Sequence, residues 1–139
     1  MREQVILQAH IAQGDFFKAG EASSNLKDIL RKLGVPSDVN RRTTIVMYEL
    51  EMNIVIHSFG GPITVSISSD RIKVAASDGG PGIEDVEQAF QPGFSTADDH
   101  VRCLGFGAGM GLNNVQYYSD ELEVETGKGQ GTTITASIY

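Results

Sequence analysis

Glu49, Asn53 and His57 recur every four residues in a segment with helical periodicity. This spacing places the side chains on one stripe of a helix, and a helical wheel puts Glu49 and Asn53 near the centre of the apolar face. A carboxylate there can act as a general base, and an amide oxygen can bind Mg²⁺. A satisfied hydrogen-bond network in the core accounts for the same pattern, and the stripe alone favours that simpler interpretation. His57 fits better as a cap at the helix C-terminus.

A second candidate is the run SDGGPGI at residues 77–83, which follows a predicted strand. Asp78 at a strand end can accept a hydrogen bond from the exocyclic amine of a base. Gly80 and Gly82 would let a flat ring approach the backbone closely. Ile83 closes the run and belongs to the same candidate set. Because Asp-Gly is a strong turn signal, an ordinary turn also explains this run.

Glycine occupies every second position in GFGAGMGL, residues 105–112, just before a predicted helix. Such a loop exposes many backbone N–H groups beside a helix N-terminus, which suits a phosphate group. No Gly-Lys-Ser/Thr is present, so the loop is not a P-loop. A flexible hinge is the alternative, but four glycines in seven positions favour phosphate binding. The candidate contacts are Gly105, Gly107, Ala108, Gly109, Met110, Gly111 and Leu112.

Residues 91–104, QPGFSTADDHVRCL, connect the two glycine motifs, and they are polar and lack periodicity. They are predicted to form a mobile lid. Arg102, the one Lys or Arg in the lid, can reach a terminal phosphate, although a solvated surface arginine is an equally good interpretation. Ser95 and Thr96 are candidate contacts or caps within the lid.

The elements that must position these residues follow from the hydrophobic period. Asp15 is a predicted N-cap of the first helix, and Gly34 with Pro36 is its stop signal. The second helix carries Glu49, and its neighbours Tyr48 and Glu51 are expected at the surface. Helices are predicted at 15–33, 37–57 and 110–118, and a short helical piece is predicted near 84–90 within the glycine-rich stretch.

Alternating apolar and polar residues predict the strands. A turn at 127–133 precedes the last strand, where the Thr132 hydroxyl can lie near the base pocket. Consecutive strands joined by short turns give a mostly antiparallel mixed sheet. About three helices on one face of this sheet give an α+β fold, a two-layer α/β sandwich. Strands are predicted at 4–12, in a hairpin over 62–77, and at 121–126 and 132–138.

Composition limits the class of protein. The 139 residues suit one domain, residues 1–139, with one core. A net charge of −7 argues against a nucleic-acid or anionic-membrane binder. The single cysteine, Cys103, excludes a disulfide framework. No signal sequence or membrane span is recognisable, so a cytoplasmic location is expected.

The order of the motifs resembles that of the Bergerat-fold (GHKL) ATPases, which include DNA gyrase, the heat-shock chaperone, mismatch-repair proteins and histidine kinases. Glu-x-x-x-Asn is matched by Glu49 and Asn53, and Asp-x-Gly-x-Gly by the run from Asp78. Gly-x-Gly-x-Gly-Leu is matched by residues 107–112. A Gly-Thr before the final strand is matched at 131–132. Within this superfamily the chain looks most like the small serine kinases of bacterial partner-switching, the anti-sigma-factor and stressosome kinases.

The resemblance implies a role for each motif. Glu49 would be the base for a serine hydroxyl, and Asn53 a Mg²⁺ ligand. Asp78 would hold the adenine amino group of ATP, and the glycine loop would surround the phosphates. The acceptor would be a serine or threonine of a STAS-type antagonist protein, and a sigma factor could be a second partner. An ATP-gated binding switch without turnover and a detached histidine-kinase ATPase domain are the alternatives.

Overall fold

The computed structural model describes residues 3–11, 20–57, 60–78, 111–126 and 132–139. These residues form five strands and three helices. The strands are β1 (Gln4–Ile11), β2 (Gly61–Ile67), β3 (Ile72–Asp78), β4 (Glu121–Thr126) and β5 (Thr132–Ile138). The helices are α1 (Glu21–Lys32), α2 (Ser37–His57) and α3 (Gly111–Tyr118).

The five strands form one sheet in the order β1-β2-β3-β5-β4. All four of its pairings are antiparallel. The β2–β3 hairpin closes through a turn in which the Ser68 N–H donates to the Arg71 carbonyl across 2.9 Å. The predicted α+β fold is confirmed, and the predicted hairpin and the last two strands are found where the two-residue period placed them.

The core lies between the sheet and the helices. Alternate residues of the central strands are buried against the helices, as the period of a half-buried strand requires. The helix α2 lies between α1 and α3 and also contacts the sheet. The largest of the completely buried apolar side chains are Leu26, Leu30, Met47, Leu50, Ile54, Ile63, Ile134 and Ile138.

Helix α1 differs from its prediction at its start and agrees at its end. Gly20 has φ +91°, in the left-handed region, and it is the N-cap of a helix that starts at Glu21. A continuous helix over 15–33 is therefore wrong, while residues 12–19, including the predicted cap Asp15, lie outside the described part. At the end, the Gly34 and Val35 N–H groups donate to Arg31 and Leu30 carbonyls, both across 3.1 Å. This is a Schellman motif, and it explains why glycine stops the helix.

An ion-pair network joins the start of α2 to the end of β5. The Arg42 guanidinium donates to Asp38 and Asp120, each across 3.1 Å, and to the Tyr139 carbonyl across 2.9 Å. The Tyr139 N–H donates in turn to Asp120 across 2.8 Å. These contacts hold helix and sheet together at one end of the sandwich.

Within the described residues, no helix has the length and apolar character needed to cross a membrane.

Candidate functional site

Helix α2 carries the first two candidate residues. It starts after Pro36, whose carbonyl accepts the Asn40 N–H across 2.9 Å. Glu49 and Asn53 are one turn apart on it, and both side chains are half-buried. The predicted position of this stripe at the centre of the apolar face is wrong. Most of the completely buried residues of α2, such as Met47 and Leu50, lie about 100° or more from Glu49, although Val46 lies only about 60° away. The reason is that α2 is the central helix, covered by the sheet and α1 on the far side from Glu49.

Glu49 meets helix α3. The Asn114 side-chain amide Nδ2 donates to Oε1 of Glu49 across 3.5 Å, at the long end of hydrogen-bond distances. Burial raises the pKa of the Glu49 carboxyl, and the Asn114 hydrogen bond partly offsets this. A carboxylate that has lost some of its water and keeps a neutral donor binds a proton more readily than an exposed one. This is the environment in which proteins place general bases.

The start of α3 lies beside the stripe on α2. Along the whole of α3, the side chains of Leu112, Val115 and Tyr118 pack in or against the core. At the far end of α3, the Arg41 guanidinium lies 5.7 Å from the centre of the Tyr118 ring. Arg41 precedes Glu49 while Tyr118 follows Asn114, so the two helices run in roughly opposite directions. The N-terminus of α3, where the glycine motif ends at Gly111, is therefore next to the C-terminal half of α2.

The register of the sheet brings Asp78 and Thr132 together. They are directly opposite each other across β3 and β5. Thr132 is 6% exposed, and it faces the core in step with Ile134 and Ala136. The next pair along, Ser77 and Thr133, joins its hydroxyls across 3.0 Å. Asp78 was predicted to contact adenine, and Thr132 was predicted separately to place a hydroxyl near the adenine pocket. In the structure these two residues are neighbours across β3 and β5.

The Asn53 side-chain oxygen on α2 fits a magnesium ion that is mainly held by phosphates and water. No cluster of three or more His, Cys, Asp or Glu side chains that could hold a metal occurs among the described residues. An all-protein cage is therefore not built from this part of the chain. Mg²⁺ in nucleotide sites usually takes only one or two protein oxygens. The half-buried Asn53 amide can supply one of them.

Several predicted site residues lie outside the described part of the chain. The short helix predicted at 84–90 and the predicted lid also lie there. These residues are Gly80, Gly82, Ile83, Ser95, Thr96, Arg102, Gly105, Gly107, Ala108, Gly109 and Met110.

Two residues with a structural role were not found from the sequence, one beside Glu49 and one on the opposite side of α2. Asn114 was not selected, because its contact with Glu49 joins residues 65 positions apart. Glu51 was expected at the surface, and that prediction is wrong, since it is only 2% exposed. Its carboxylate accepts the Ala22 and Ser23 N–H groups across 3.3 Å, at the start of α1. Burial raises its pKa, while these backbone hydrogen bonds act in the opposite direction. The signal available was a charged residue in a helix with apolar residues on most sides.

The arrangement agrees with a known family. Residues 38–139 match the family model of the histidine kinase-, DNA gyrase B- and HSP90-like ATPases. The chain belongs to this family. The matched region includes every described site residue: the Glu49–Asn53 stripe, Asp78, Gly111, Leu112 and Thr132. The recognition made from the motifs is thereby confirmed.

Curated relatives of this ATPase-family chain are named as an anti-sigma factor and as a protein kinase. It is 40% identical over 96 residues to an anti-sigma F factor of Thermoanaerobacter, covering 66% of this chain and 64% of that protein. It is also 32% identical over 114 residues to the serine/threonine-protein kinase RsbT of Bacillus subtilis, covering 79% and 80% of the two chains. The chain thus spans somewhat less than two thirds of the anti-sigma F factor.

A solved structure agrees on the fold. The SiaB-SiaC complex from Pseudomonas aeruginosa contains a chain that superposes with a TM-score of 0.65 at 14% identity. The superposition covers 96% of this chain and 89% of that one. At this identity the likeness establishes the shared fold and nothing about function or partners.

Proposed function

We propose that this chain is an ATP-binding serine/threonine protein kinase of a bacterial partner-switching system. Its substrate would be a serine or threonine of a STAS-type antagonist protein, with a sigma factor as a further partner. The whole of residues 1–139 would form one ATP-binding domain. The observation that carries the proposal is the half-buried Glu49, whose pKa is raised by burial and whose carboxylate contacts α3 just after the glycine motif.

The proposed chemistry is carried by three parts of the site. The Glu49 carboxylate would accept the proton of the substrate hydroxyl as that oxygen attacks the terminal phosphorus of ATP. The bond from this phosphorus to the β–γ bridging oxygen would break, and ADP would leave. The Asn53 side-chain oxygen would bind Mg²⁺, which supplies positive charge that offsets the charge of the phosphates. The N–H groups at the start of α3, from Gly111, would donate to phosphate oxygens.

The pocket for the adenine ring of ATP would be formed by the sheet, at the ends of β3 and β5. The Asp78 carboxylate would accept from the adenine amino group, and Thr132, opposite it on β5, would contribute its hydroxyl. Catalysis in such a site comes mainly from positioning and charge stabilisation, since phosphoryl transfer needs little covalent chemistry from the protein.

Support for a kinase over other family activities comes from the relatives. One is named a serine/threonine-protein kinase, and matches this chain over most of its length. Transfer of a phosphoryl group to a hydroxyl needs a proton acceptor, and a passive binding module does not. Glu49 can be that acceptor, because burial raises its affinity for a proton.

The test is incubation with γ-labelled ATP, Mg²⁺ and host lysate, with the Asp78→Asn variant as control. We expect an acid-stable label on a small protein, absent with the variant. An acid-labile product would indicate transfer to histidine, as from a detached histidine-kinase ATPase domain. No label, together with ATP binding by calorimetry, would leave a nucleotide-gated binding switch. Absence of ATP binding would contradict the proposal altogether.

A further inference from the structure

The side chain that contacts Glu49 comes from a different helix. Asn114 Nδ2 lies 3.5 Å from Glu49 Oε1, in a partly buried position. The contact joins α2 to α3 and depends on their packing, which is fixed by completely buried Val115 next to Asn114. Asparagine is a poor helix former, so its presence inside an eight-residue helix is not explained by helix propensity.

The neutral side-chain amide of Asn114 is a suitable hydrogen-bond donor to a carboxylate that acts as a general base, such as Glu49. A lysine or arginine would form an ion pair with Glu49 and reduce its tendency to take a proton. A neutral amide donor occupies one lone pair and fixes the plane of the carboxylate without adding a charge. Among the described residues, the hydrogen bond found at the Glu49 carboxylate is the one from Asn114 to Oε1, which leaves Oε2 as the oxygen that would face a substrate hydroxyl.

The position of Asn114 along α3 adds a link to the nucleotide site. It is three residues after Gly111, the last glycine of the motif, and thus within the first turn of the helix. A group bound at the N-terminus of α3 would therefore contact the turn that carries Asn114, and Asn114 in turn contacts Glu49 on α2.

We propose that Asn114 is a positioning residue that holds the Glu49 carboxylate in the orientation in which it accepts the proton of the substrate hydroxyl. This inference rests on the proposed kinase function. It makes the first turn of α3 responsible for two tasks, the phosphate contact and the orientation of the base.

The experiment compares Asn114→Ala with Gln116→Ala, which removes an exposed amide from the same helix. The protein labelled in the lysate assay, once purified, serves as substrate. We expect kcat to fall about 10- to 100-fold in Asn114→Ala, the size of effect that misplacing a catalytic group produces. The KM for ATP and the Kd for a fluorescent ATP analogue should change less than about threefold, because the residue does not bind nucleotide.

Two further variants separate orientation from mere structure. Asn114→Gln keeps the donor on a longer side chain and should recover part of kcat, while Asn114→Asp keeps the size, removes the donor, and should be at least as inactive as Asn114→Ala. A kcat within twofold of wild type for Asn114→Ala, or equal losses in Gln116→Ala, would overturn the inference.

A second measurement does not need turnover. In ¹H–¹⁵N spectra, the Asn114 side-chain amide should shift when Glu49 is changed to Gln, while the Gln116 amide should not. If wild-type protein transfers no phosphate, the kinase proposal fails, and this spectrum decides the contact separately. An Asn114 amide that does not respond to Glu49→Gln would refute the positioning role whatever the activity.

Discussion

The Glu51 carboxylate and the Ala22 backbone N–H are 29 residues apart in sequence and 3.3 Å apart in space. Through this bond and its neighbour at Ser23, a side chain of α2 caps the N-terminus of α1. Gly20, the residue at the cap position, has no side chain for that task. The first N–H groups of a helix have no partner within it, so Glu51 replaces the missing cap and also complements the positive end of the helix dipole.

Glu51→Ala should therefore lower the free energy of unfolding by about 1–3 kcal/mol, because buried donors lose their acceptor. Glu51→Gln should cost less, since one oxygen remains. Urea unfolding followed by circular dichroism measures both. Glu123→Ala, an exposed glutamate on β4, is the matched control and should stay within about 0.5 kcal/mol of wild type. Similar losses in both alanine variants would mean that Glu51 does not cap α1.

Asp120 predicts a specific pH dependence of stability. Its pKa is lowered, first by the hydrogen bond from the Tyr139 N–H and also by the Arg42 guanidinium. A carboxyl whose pKa is lower in the folded state stabilises the fold above its unfolded pKa, and that contribution is lost as pH falls through the folded pKa.

Asp120→Asn should therefore be less stable than wild type near neutral pH, and the difference should shrink in acid. The measurement is the unfolding free energy across that range, with Asp28→Asn, an exposed carboxylate on α1, as control. A gap between Asp120→Asn and wild type that stays constant down to strongly acidic pH would contradict this assignment.

Glu49 and Asp78 should separate transfer from binding. Glu49→Gln keeps the size of the side chain and removes the proton acceptor, so transfer should fall about 10²- to 10⁴-fold while ATP still binds. Asp78→Asn should lose ATP binding instead. Calorimetry with ATP and the labelled-transfer assay, run on both variants, give the four numbers needed. Undiminished transfer by Glu49→Gln would remove it from the base role.

Gly34 should tolerate asparagine better than alanine. Its φ is +78°, and among the described residues no atom beyond Gly34 and its two chain neighbours lies within 4 Å of an added Cβ. We therefore expect the cost of substitution to come from backbone strain. Gly34→Ala should lose about 1 kcal/mol, as a left-handed alanine does. Gly34→Asn should lose less, because asparagine visits that region more easily. Thermal unfolding compares the two, and equal losses would show that φ is not the cause.

Local pattern predicted much of this fold. The last two strands and α2 were predicted with their bounds, because alternation and a Pro or Gly boundary are encoded within a few residues. The start of α1 was not, since the left-handed Gly20 interrupts a segment whose composition suits a helix throughout. The Glu49–Asn53 stripe was found from its spacing.

What surrounds the stripe was not predictable in the same way. The partner of Glu49 is on another helix, and Glu51 was assigned to solvent although another helix begins against it. Both errors concern contacts between segments distant in sequence, which a helical wheel does not contain. The wheel also placed the buried side of α2 wrongly, because it assumes one covered face for a helix that is covered on most sides.

The strand order has a consequence for how the molecule is made. Strand β5 pairs with both β3 and β4. In the β3–β5 pairing, Thr132 lies opposite Asp78, which is 54 positions earlier in the chain. Forming the centre of the sheet thus requires closing a long loop, which slows folding in proteins dominated by such distant pairings. During synthesis, β3 is left with an open edge until residues 132–138 leave the ribosome. Unpaired strand edges favour aggregation, so the open edge of β3 is a site at which the nascent chain can aggregate during this interval.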